Sequence, residues 1–455
     1  MNLSLTDNKQ FLEIESCTEL EYAQLKSSLT KKIDSWRFHP LVKKGVWNGE
    51  ISFIKTNKIP SGLWKEVVDI CKEYDFKLSM NGITRLFDND LTLDEFTIWV
   101  NDFFKDSTIK PYDYQVDAAF KILRYRRCLA ELATSAGKTL INFMVVAYIL
   151  EVSQRKRILM IVPNVSLVIQ ATGDFEAYNK NRVQLKIQQI YAGVDIRKSS
   201  NVVIGTYQSL SKYDSSYFEQ FDVVFVDECH QANAQSIQKI MDMCWHCDYR
   251  FGVSGTIPKK GTVNKLGLMS ALGPQVVKVK ANYLQENNYI ANCEVLQLLL
   301  KYATPEQIDA FIKVSNVTSA KKEPQLLFNL ERDFIIENEK RLNFVCRLIN
   351  KSEKNSLVLF HKIKHGEKLY KKLKEISSKN IYYVDGGINA NLREEFKSRM
   401  EDNASVEYVI FELDEFEAHV PATHEIKLSD GTFKIASQVT IDDDVDETFL
   451  QTYKK

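Results

Sequence analysis

Short apolar runs alternate with longer helical stretches from Pro111 onward. Five of these runs are typical of buried strands: Cys128 to Leu132, Ile158 to Pro163, Val202 to Gly205, Val223 to Val226 and Arg250 to Ser254. The segments between them, such as Leu140 to Leu150, have the length and periodicity of helices. This alternation predicts a mostly parallel sheet with helices on both faces.

A second stretch with the same alternation follows. Its predicted strands are Ser356 to Phe360, Ile381 to Val384 and Glu407 to Phe411, and its predicted helices cover Arg332 to Asn350, His365 to Ser377 and Asn389 to Glu401. This pattern indicates a second parallel α/β unit.

The first 105 residues differ from both stretches. They combine a β-rich run, Gly49 to Lys55, with an amphipathic helix from about Trp64 to Lys77, which predicts a small α+β module. The expected organisation is a module over residues 1–105, an α/β domain over 106–285, a second α/β domain over 286–405 and a divergent acidic tail over 406–455.

Composition narrows the class of protein. The chain has 455 residues, of which 44% are hydrophobic and 26% are charged, as in ordinary globular proteins. The longest apolar runs are far shorter than the ~18 residues that span a bilayer, and Met1 to Lys9 lack a signal-peptide pattern. We therefore expect a soluble, cytoplasmic protein without membrane contacts.

The eight cysteines lie at long spacings, which suits reduced thiols. Only Cys244 and Cys247, in a Cys-Trp-His-Cys run, suggest metal or redox chemistry. A zinc site needs a second close pair of ligands, which the sequence lacks, so packing beside a buried strand is the expected role.

The net charge of zero conceals a gradient along the chain. From Glu401 onward, 14 Asp and Glu residues stand against 4 Lys, so this tail is acidic and the preceding 400 residues are basic. The body of the chain can therefore bind a polyanion, and the tail cannot. Within the tail, Glu425 to Ile435 predict a β-hairpin around an Asp-Gly turn.

The segment from Leu132 to Thr139 reads Leu-Ala-Thr-Ser-Ala-Gly-Lys-Thr, between a predicted strand and a predicted helix. Backbone N–H groups at a helix start bind phosphate oxygens, the lysine adds a charge, and the Thr139 hydroxyl can ligate Mg²⁺. The general pattern has glycine where Leu132 stands, so an ordinary strand-to-helix turn is the alternative on this motif alone. The candidate phosphate-binding residues are Thr134, Ser135, Ala136, Gly137, Lys138 and Thr139.

Two carboxylates follow the apolar run Phe221 to Val226. Asp227 and Glu228 would then lie at the carboxyl edge of a parallel sheet, where such folds bind ligands. There Asp227 would hold Mg²⁺, and Glu228 would polarise the water that attacks a γ-phosphate. An acidic pair at the end of a buried strand, about 90 residues after a phosphate loop, indicates nucleotide hydrolysis.

Three further sequence elements are consistent with a nucleotide-hydrolysing protein that acts on nucleic acid. Gln115, upstream of the phosphate loop, can contact the adenine edge, although a plain helix start is the alternative. Two strand-end loops carry hydroxyls and amides suited to holding a phosphodiester backbone without reading bases. Their candidate residues are Pro163, Asn164, Gly205, Thr206 and Gln208. Ser254, Gly255 and Thr256 close the last strand and can couple nucleotide state to nucleic acid.

Aromatic and cationic residues interleave within the N-terminal module. The candidate nucleic-acid contacts are Trp36, Arg37, Lys43, Lys44 and Trp47. Such a surface grips phosphates and packs on sugars or bases. The alternative is that the aromatics are core residues and the lysines are merely solvated.

In their order, the motifs resemble those of superfamily 2 helicases of the DExH kind. They are the Gln115 element, Leu132 to Thr139, Val162 to Leu167, Gly205 to Ser209, Asp227 to His230 and Ser254 to Thr256. The runs Trp36 to Pro40, Gly45 to Gly49, Leu357 to Gly366 and Tyr382 to Gly386 extend the resemblance to the UvsW-type recombination helicases of T-even bacteriophages. The resemblance covers about residues 10–402.

This resemblance implies a DNA-recognition module followed by two RecA-like domains, the second one partial. It implies ATP and Mg²⁺ as cofactors and adds His230 to the catalytic set of Lys138, Asp227 and Glu228. The implied activity is that of an ATP-dependent DNA helicase or translocase in the bacterial host cytoplasm. It would remodel branched DNA without sequence preference, by fork regression, branch migration and annealing in phage recombination and repair.

The chain departs from this family after its last predicted strand. In the family that strand leads to a Ser/Thr-Gly loop and to a helix with an arginine finger, whereas here Phe411 to Glu417 follow and no arginine occurs after Arg399. A finger contributes about 10³- to 10⁵-fold to hydrolysis, so autonomous turnover stays open. The alternative function is a non-hydrolysing ATP- and DNA-binding part of a split helicase, completed by a second polypeptide. A restriction-type motor subunit is a third hypothesis, for which no nuclease or specificity module is visible.

Overall fold

The computed structural model describes residues 1–86, 90–152, 156–191, 194–195, 200–230, 234–291, 298, 300, 304–307, 310, 313, 324–385, 407–412, 425–427 and 433–435. The chain divides into two compact units, Met1–Asn292 and Cys293–Lys455. The first unit contains the N-terminal module and the first α/β domain.

The N-terminal module is a small mixed sheet with helices and a two-stranded ribbon. Its elements are β1 (Asn2–Leu5), β2 (Phe11–Ser16), α1 (Glu19–Ser28), β3 (Thr30–Lys32), α2 (Pro40–Lys43), β4 (Glu50–Ser52), β5 (Lys58–Pro60), α3 (Trp64–Glu73) and β6 (Ser79–Asn81), with 3₁₀ turns at Trp36–Phe38, Ser61–Leu63 and Ile83–Leu86. The sheet order is β5-β2-β1-β6, and β3 pairs with β4 in a separate antiparallel ribbon. The predicted α+β character is confirmed.

The amphipathic helix predicted in this module is α3. It buries Val67, Ile70 and Cys71, which recur at the three- and four-residue spacing of one helix face. The helix ends at Glu73 rather than at Lys77, because Asp75 adopts a positive φ of 55° that cannot continue an α-helix.

The rest of the first unit is a doubly wound α/β domain. Its elements are α4 (Leu93–Phe103), α5 (Asp113–Arg124), β7 (Arg127–Leu132), α6 (Lys138–Val152), β8 (Ile158–Val162), α7 (Val165–Asn179), β9 (Ile187–Tyr191), β10 (Val194–Asp195), β11 (Val202–Thr206), α8 (Tyr207–Leu210), α9 (Ser215–Phe218), β12 (Val223–Asp227), α10 (Ala234–Met243), β13 (Tyr249–Ser254), α11 (Val263–Leu272), β14 (Gln275–Val279) and α12 (Ala281–Glu286). All five predicted strands are present, each within one residue of its expected bounds.

The strand order of this domain brings the sequence motifs to one edge of the sheet. The order is β10-β9-β11-β8-β12-β13-β7-β14, and among the described strands only β9 and β10 pair antiparallel. Because β7, β8, β11, β12 and β13 run parallel, the loops after their carboxyl ends lie at the same edge. The predicted parallel α/β class is therefore confirmed.

Two hydrophobic layers cover the sheet. One contains Phe143 and Phe175, which pack with residues of α4 and α5. The other is shared with the N-terminal module, because Leu12 of β2 and Leu159 of β8 belong to the same buried cluster. Module and α/β domain thus share a core, and the boundary expected near residue 105 stays a prediction.

A buried arginine ties the module to the α/β domain. Arg127, only 5% exposed at the start of β7, donates to the Cys247 carbonyl at 3.1 Å and to the Ser61 hydroxyl at 3.2 Å. It also donates to the carbonyl of Lys9, whose ammonium pairs with Asp248. These contacts connect the first residues of the chain to two strands of the large sheet.

The second unit contains a three-stranded parallel sheet in its described part, ordered β15-β17-β16. Its elements are α13 (Pro324–Glu337), α14 (Glu339–Asn350), β15 (Ser356–Phe360), α15 (Ile363–Ile376), β16 (Asn380–Val384), β17 (Glu407–Glu412) and the antiparallel pair β18 (Glu425–Lys427) and β19 (Phe433–Ile435). The predicted strands and the predicted hairpin are confirmed. The predicted helix from Asn389 to Glu401 lies outside the described residues.

The single helix predicted over Arg332 to Asn350 is wrong, because two helices occupy this stretch. Asn338 is extended, with φ −70° and ψ 113°, and its side chain accepts a hydrogen bond from the Arg341 N–H at 3.0 Å. An asparagine in this geometry starts a new helix, which the periodicity alone does not indicate. Within the described residues, no helix has the length and apolar character needed to cross a membrane.

Candidate active site

The loop between β7 and α6 has the backbone geometry of an anion-binding turn. Ser135 and Gly137 adopt positive φ values of 67° and 73°. A side chain at Gly137 would also collide with Gln115, because its Cβ would lie 2.3 Å from the amide nitrogen. The loop leads directly into a 15-residue helix, α6. The first amides of a helix have no acceptors within it, so they are available to bind an anion in the loop.

Gln115 stabilises this loop through hydrogen bonds of its side chain. Its side chain is 5% exposed and donates to the Ala136 carbonyl at 3.0 Å, while its oxygen accepts from the Tyr112 N–H at 2.9 Å. Tyr114, which the sequence motifs did not single out, donates to the same carbonyl at 3.1 Å. Both side chains fix the loop conformation, and the expected contact of Gln115 with adenine stays a prediction.

Three tyrosine rings pack together beside the loop. The centroids of Tyr112 and Tyr289 are 4.7 Å apart, and those of Tyr114 and Tyr289 are 4.8 Å apart. Tyr112 is nearly half exposed, which leaves an aromatic face next to Gln115. Sequence motifs could not identify Tyr289, because it lies more than 150 residues downstream of Gln115 and outside every motif.

The phosphate loop and the end of β12 meet through an ion pair. The Lys138 ammonium contacts the Glu228 carboxylate, and each side chain is 19% exposed. Two motifs separated by 90 residues in the sequence are thus in direct contact. A phosphate bound in the loop would compete with Glu228 for the same ammonium group.

Asp227 has a buried carboxylate with the chemistry of a metal ligand. One of its carboxylate oxygens is buried and has no hydrogen-bond partner among the described residues. Burial, reinforced by the charge of Glu228, raises the pKa of Asp227 to about 6. A divalent cation would compensate this buried charge, so the carboxylate fits Mg²⁺, with Thr139 in the first turn of α6 as the second expected ligand.

Glu228 is held in the charged form and in an unusual backbone conformation. Burial opposes ionisation, but hydrogen bonds from His230 and Lys138 outweigh it and lower the pKa of Glu228 to about 2. Its φ of 46° lies in the left-handed region, which is costly for a residue with a side chain and is found mostly where a function requires it. The carboxylate is therefore positioned as a permanent hydrogen-bond acceptor.

His230 and Ser254 connect this carboxylate to the next strand. The His230 Nδ1 lies 3.3 Å from Glu228 Oε2 and is hydrogen-bonded to the Ser254 hydroxyl. That hydroxyl donates to the Thr256 carbonyl at 2.7 Å, so its oxygen accepts from His230, which assigns the ring proton to Nδ1. The predicted coupling segment Ser254 to Thr256 thus contacts the acidic motif directly.

The predicted strand-end contacts lie at the same edge, but two of their side chains cap helices. Asn164 accepts from the Leu167 N–H at 3.0 Å and starts α7. Thr206, only 4% exposed, bonds to Ser209 at the start of α8. Gln208 is exposed. Contacts of Pro163, Asn164, Gly205, Thr206 and Gln208 with nucleic acid stay predictions.

In the N-terminal patch, both tryptophans make contacts within the module, and their contacts with nucleic acid stay predictions. Trp36 packs so closely on Gly49 that a Cβ there would lie 2.7 Å from the Trp36 Cβ. The Trp47 indole donates to the Glu50 carbonyl at 3.0 Å and its ring lies 5.1 Å from that of His39. The cationic members of the patch, Arg37, Lys43 and Lys44, are exposed. The patch therefore has packed aromatic residues, as the core alternative expects, and exposed cations, as a surface that grips phosphates requires.

The two cysteines of the Cys-Trp-His-Cys run are packing residues, whereas Trp245 between them is 48% exposed. Cys244 and Cys247 are both fully buried beside the start of β13. Among the described residues, no group of three or more His, Cys, Asp and Glu side chains could hold a metal ion.

Two family models match the chain over separate regions. One, described as "DNA helicase UvsW, N-terminal", matches residues 2–81, and the other, described as "Type III restriction enzyme, res subunit", matches residues 108–259. The second match lies within the α/β domain that carries the phosphate loop and the acidic motif.

Known relatives match most of the chain. The ATP-dependent DNA helicase uvsW of Enterobacteria phage T4 is 27% identical over 398 residues, which are 86% of this chain and 76% of the relative. A crystal structure of the UvsW helicase from bacteriophage T4 matches with a TM-score of 0.53 and 27% identity, covering 61% of this chain and 99% of the other. A second crystal structure of T4 UvsW matches with a TM-score of 0.54 and 24% identity over 90% of this chain and 79% of the other.

The two matched regions follow one another along the chain, and the phosphate loop and the acidic motif both lie within the second region. The chain is therefore similar to UvsW-type helicases in both its N-terminal module and its α/β domain.

Proposed function

We propose that this protein is an ATP-driven DNA translocase that remodels branched DNA by fork regression, branch migration and annealing. The observation that carries the proposal is the contact between Lys138 of the phosphate loop and Glu228 beside the buried Asp227. A site for nucleotide hydrolysis accounts for an anion-binding turn, a carboxylate able to polarise water and a buried carboxylate oxygen without a partner among the described residues, all at one sheet edge.

Residues of the phosphate loop and the acidic motif would bind the nucleotide and its metal ion. The N-terminal amides of α6 and the Lys138 ammonium would hold the β- and γ-phosphates. Thr139 and Asp227 would hold Mg²⁺, which when bound neutralises phosphate charge. When the γ-phosphate takes the Lys138 ammonium, the Glu228 carboxylate is released from this ion pair and keeps its contact with His230.

The released carboxylate would then accept a hydrogen bond from the attacking water and orient it toward the γ-phosphate. His230 keeps its Nδ1 in contact with both Glu228 and Ser254. A change in the position of Glu228 therefore moves Ser254 and the segment up to Thr256, which is the proposed route from nucleotide to DNA.

DNA binding would use the strand-end loops of the sheet together with the exposed cations of the module. The basic body of the chain supplies a sequence-independent attraction for the phosphate backbone. We place the module over residues 1–105, the ATP-binding domain over 106–285 and the partial second motor domain over 286–405.

A hydrolysis assay with defined DNA substrates tests this function. ATP hydrolysis by the full chain would be measured without DNA, with linear duplex and with a three-way junction, and labelled junctions would report branch migration in the same reactions. We expect hydrolysis to be stimulated by DNA, most by the junction, and absent in Glu228→Gln. ATP and DNA binding without stimulated hydrolysis would contradict the motor and favour a binding protein completed by a second polypeptide.

A further inference from the structure

Tyr207 has no role in the site described above, yet it lies between two parts of that site. It directly follows β11 and is the first residue of α8, next to the candidate nucleic-acid contacts Thr206 and Gln208. Its ring packs against the hydrophobic layer that also contains Cys229 of the acidic motif. The backbone of Tyr207 therefore belongs to a predicted DNA loop, and its side chain belongs to a core that the acidic motif shares.

The strand register brings the Tyr207 side chain near the acidic motif. Thr206 of β11 pairs with Val162 of β8, and β12 pairs with β8 in a register that places Asp227 level with Val162. Two strand spacings, about 10 Å, therefore separate the backbones of Thr206 and Asp227. A tyrosine side chain that starts beside Thr206 can span more than half of this distance.

The Tyr207 hydroxyl is kept in its protonated form. Burial, reinforced by the ionisable groups of residues 227–229, raises the pKa of Tyr207 well above its usual value. The O–H group is therefore available as a hydrogen-bond donor over the whole physiological pH range.

Two buried polar atoms at this sheet edge have no hydrogen-bond partner among the described residues. One is the Tyr207 hydroxyl oxygen, and the other is a carboxylate oxygen of Asp227. Buried polar atoms in native proteins are nearly always paired, because an unpaired one has lost its contacts with water. Here the hydroxyl has a proton to donate and the carboxylate oxygen can accept it, so the two groups are complementary.

We propose that Tyr207 is a positioning residue that links the loop after β11 to the metal site, its hydroxyl donating a hydrogen bond to the Asp227 carboxylate when DNA is bound. This inference rests on the proposed function, because it names the contact through which DNA on that loop favours ATP binding. The hydrogen bond would fix the orientation of Asp227, as hydrogen bonds from outside the ligand set do at metal sites. The accepting oxygen has a second lone pair, so it can still face a cation.

The test measures how far DNA raises the affinity for nucleotide. Binding of a non-hydrolysable ATP analogue with Mg²⁺ to the full chain would be followed by calorimetry, with and without a saturating three-way junction. In the wild type, we expect DNA to tighten analogue binding by about 5- to 150-fold, the usual range of coupling between two sites. Tyr207→Phe, which removes only the hydroxyl, should keep the DNA-free affinity and lose this gain.

Three comparisons separate coupling from a structural role. Tyr178→Phe removes the hydroxyl of a ring that packs on the other hydrophobic layer of the same sheet, and it should leave the gain intact. Because the Tyr207 hydroxyl has no partner among the described residues, Tyr207→Phe should not lower the free energy of unfolding in urea. In an Asp227→Asn background, Tyr207→Phe should change the gain little, since the charged acceptor is already absent.

An equal gain in wild type and Tyr207→Phe would overturn the inference, and so would a full effect of Tyr207→Phe in the Asp227→Asn background. A wild type whose analogue affinity does not respond to DNA would overturn it as well. Failure of the proposed function is a separate result, seen as wild-type protein without DNA-stimulated ATP hydrolysis. The analogue titration decides the inference in either case, because it requires no hydrolysis.

Discussion

Lys138 and Glu228 form an ion pair at the carboxyl edge of the sheet. Lys138 lies at the start of α6, and Glu228 directly follows β12. Each of the two side chains also has a proposed role toward ATP. Since a lysine cannot bind a phosphate and keep the same carboxylate contact, ATP binding and release of Glu228 are linked. The first two predictions follow from this competition.

Glu228→Gln should bind ATP at least as tightly as the wild type and lose hydrolysis by about 10²- to 10⁴-fold. The amide keeps the shape of the side chain but no longer attracts the Lys138 ammonium or polarises water. Calorimetry and phosphate release measure the two effects. Glu219→Gln, an exposed position of the same domain, is the matched control. Weaker ATP binding in Glu228→Gln would contradict the competition.

Lys138→Ala should weaken ATP binding by about 10- to 100-fold, the contribution expected of charge-assisted hydrogen bonds to phosphate. It also removes one of the groups that hold the pKa of Glu228 low. ATP titration by calorimetry checks the loss, with Lys121→Ala on α5 as the control lysine. Equal affinities in Lys138→Ala and wild type would exclude the phosphate-loop assignment.

Arg127→Leu should lower the free energy of unfolding by about 2 to 4 kcal/mol, because the hydrogen bonds from this buried guanidinium to Lys9, Ser61 and Cys247 are lost. The module should also become cleavable near its junction at lower protease concentrations. Urea unfolding and limited proteolysis test this. Arg85→Ala, an exposed arginine of the same module, should change the unfolding free energy by less than about 0.5 kcal/mol.

The second unit should lose stability in mild acid through His365. Burial, reinforced by Arg341 at 3.3 Å, lowers the pKa of His365 to about 4 from the usual 6.5. Between these values the unfolded chain binds more protons, so this stability is complete above about pH 6.5 and decreases as pH falls toward 4.

Hydrogen exchange of the α15 amides at pH 7 and pH 5 would measure this loss. The change in protection between the two pH values should shrink in His365→Asn and persist in His361→Asn, which alters an exposed histidine nearby. An identical pH response in wild type and His365→Asn would exclude His365 as the cause.

Replacing Lys43 and Lys44 with alanine should reduce the salt dependence of DNA binding. Each phosphate contact contributes about 0.9 to the slope of log affinity against log salt, so the slope should fall by up to about 2. Affinity for any DNA sequence should weaken alike. The double variant Lys65→Ala and Lys72→Ala, on the exposed side of α3, controls for the loss of charge, and an equal change in slope there would contradict the assignment.

Local sequence patterns were enough to predict the parallel sheet, the phosphate loop and the acidic motif. Buried parallel strands are continuous apolar runs, and the Gly-Lys-Thr and Asp-Glu motifs are local because consecutive residues perform the chemistry. The β1 and β2 strands escaped prediction, since their short alternating pattern in a half-buried sheet gives a weak signal.

Tertiary structure decided which of these residues work together. It placed Gln115 beneath the phosphate loop, paired Lys138 with Glu228, and joined His230 to Ser254, contacts between residues 21 to 90 positions apart. It also made Trp36 a packing residue and left Phe38 exposed. Periodicity reports only whether a side chain faces a core, whereas these relationships depend on how separate strands and loops meet in space.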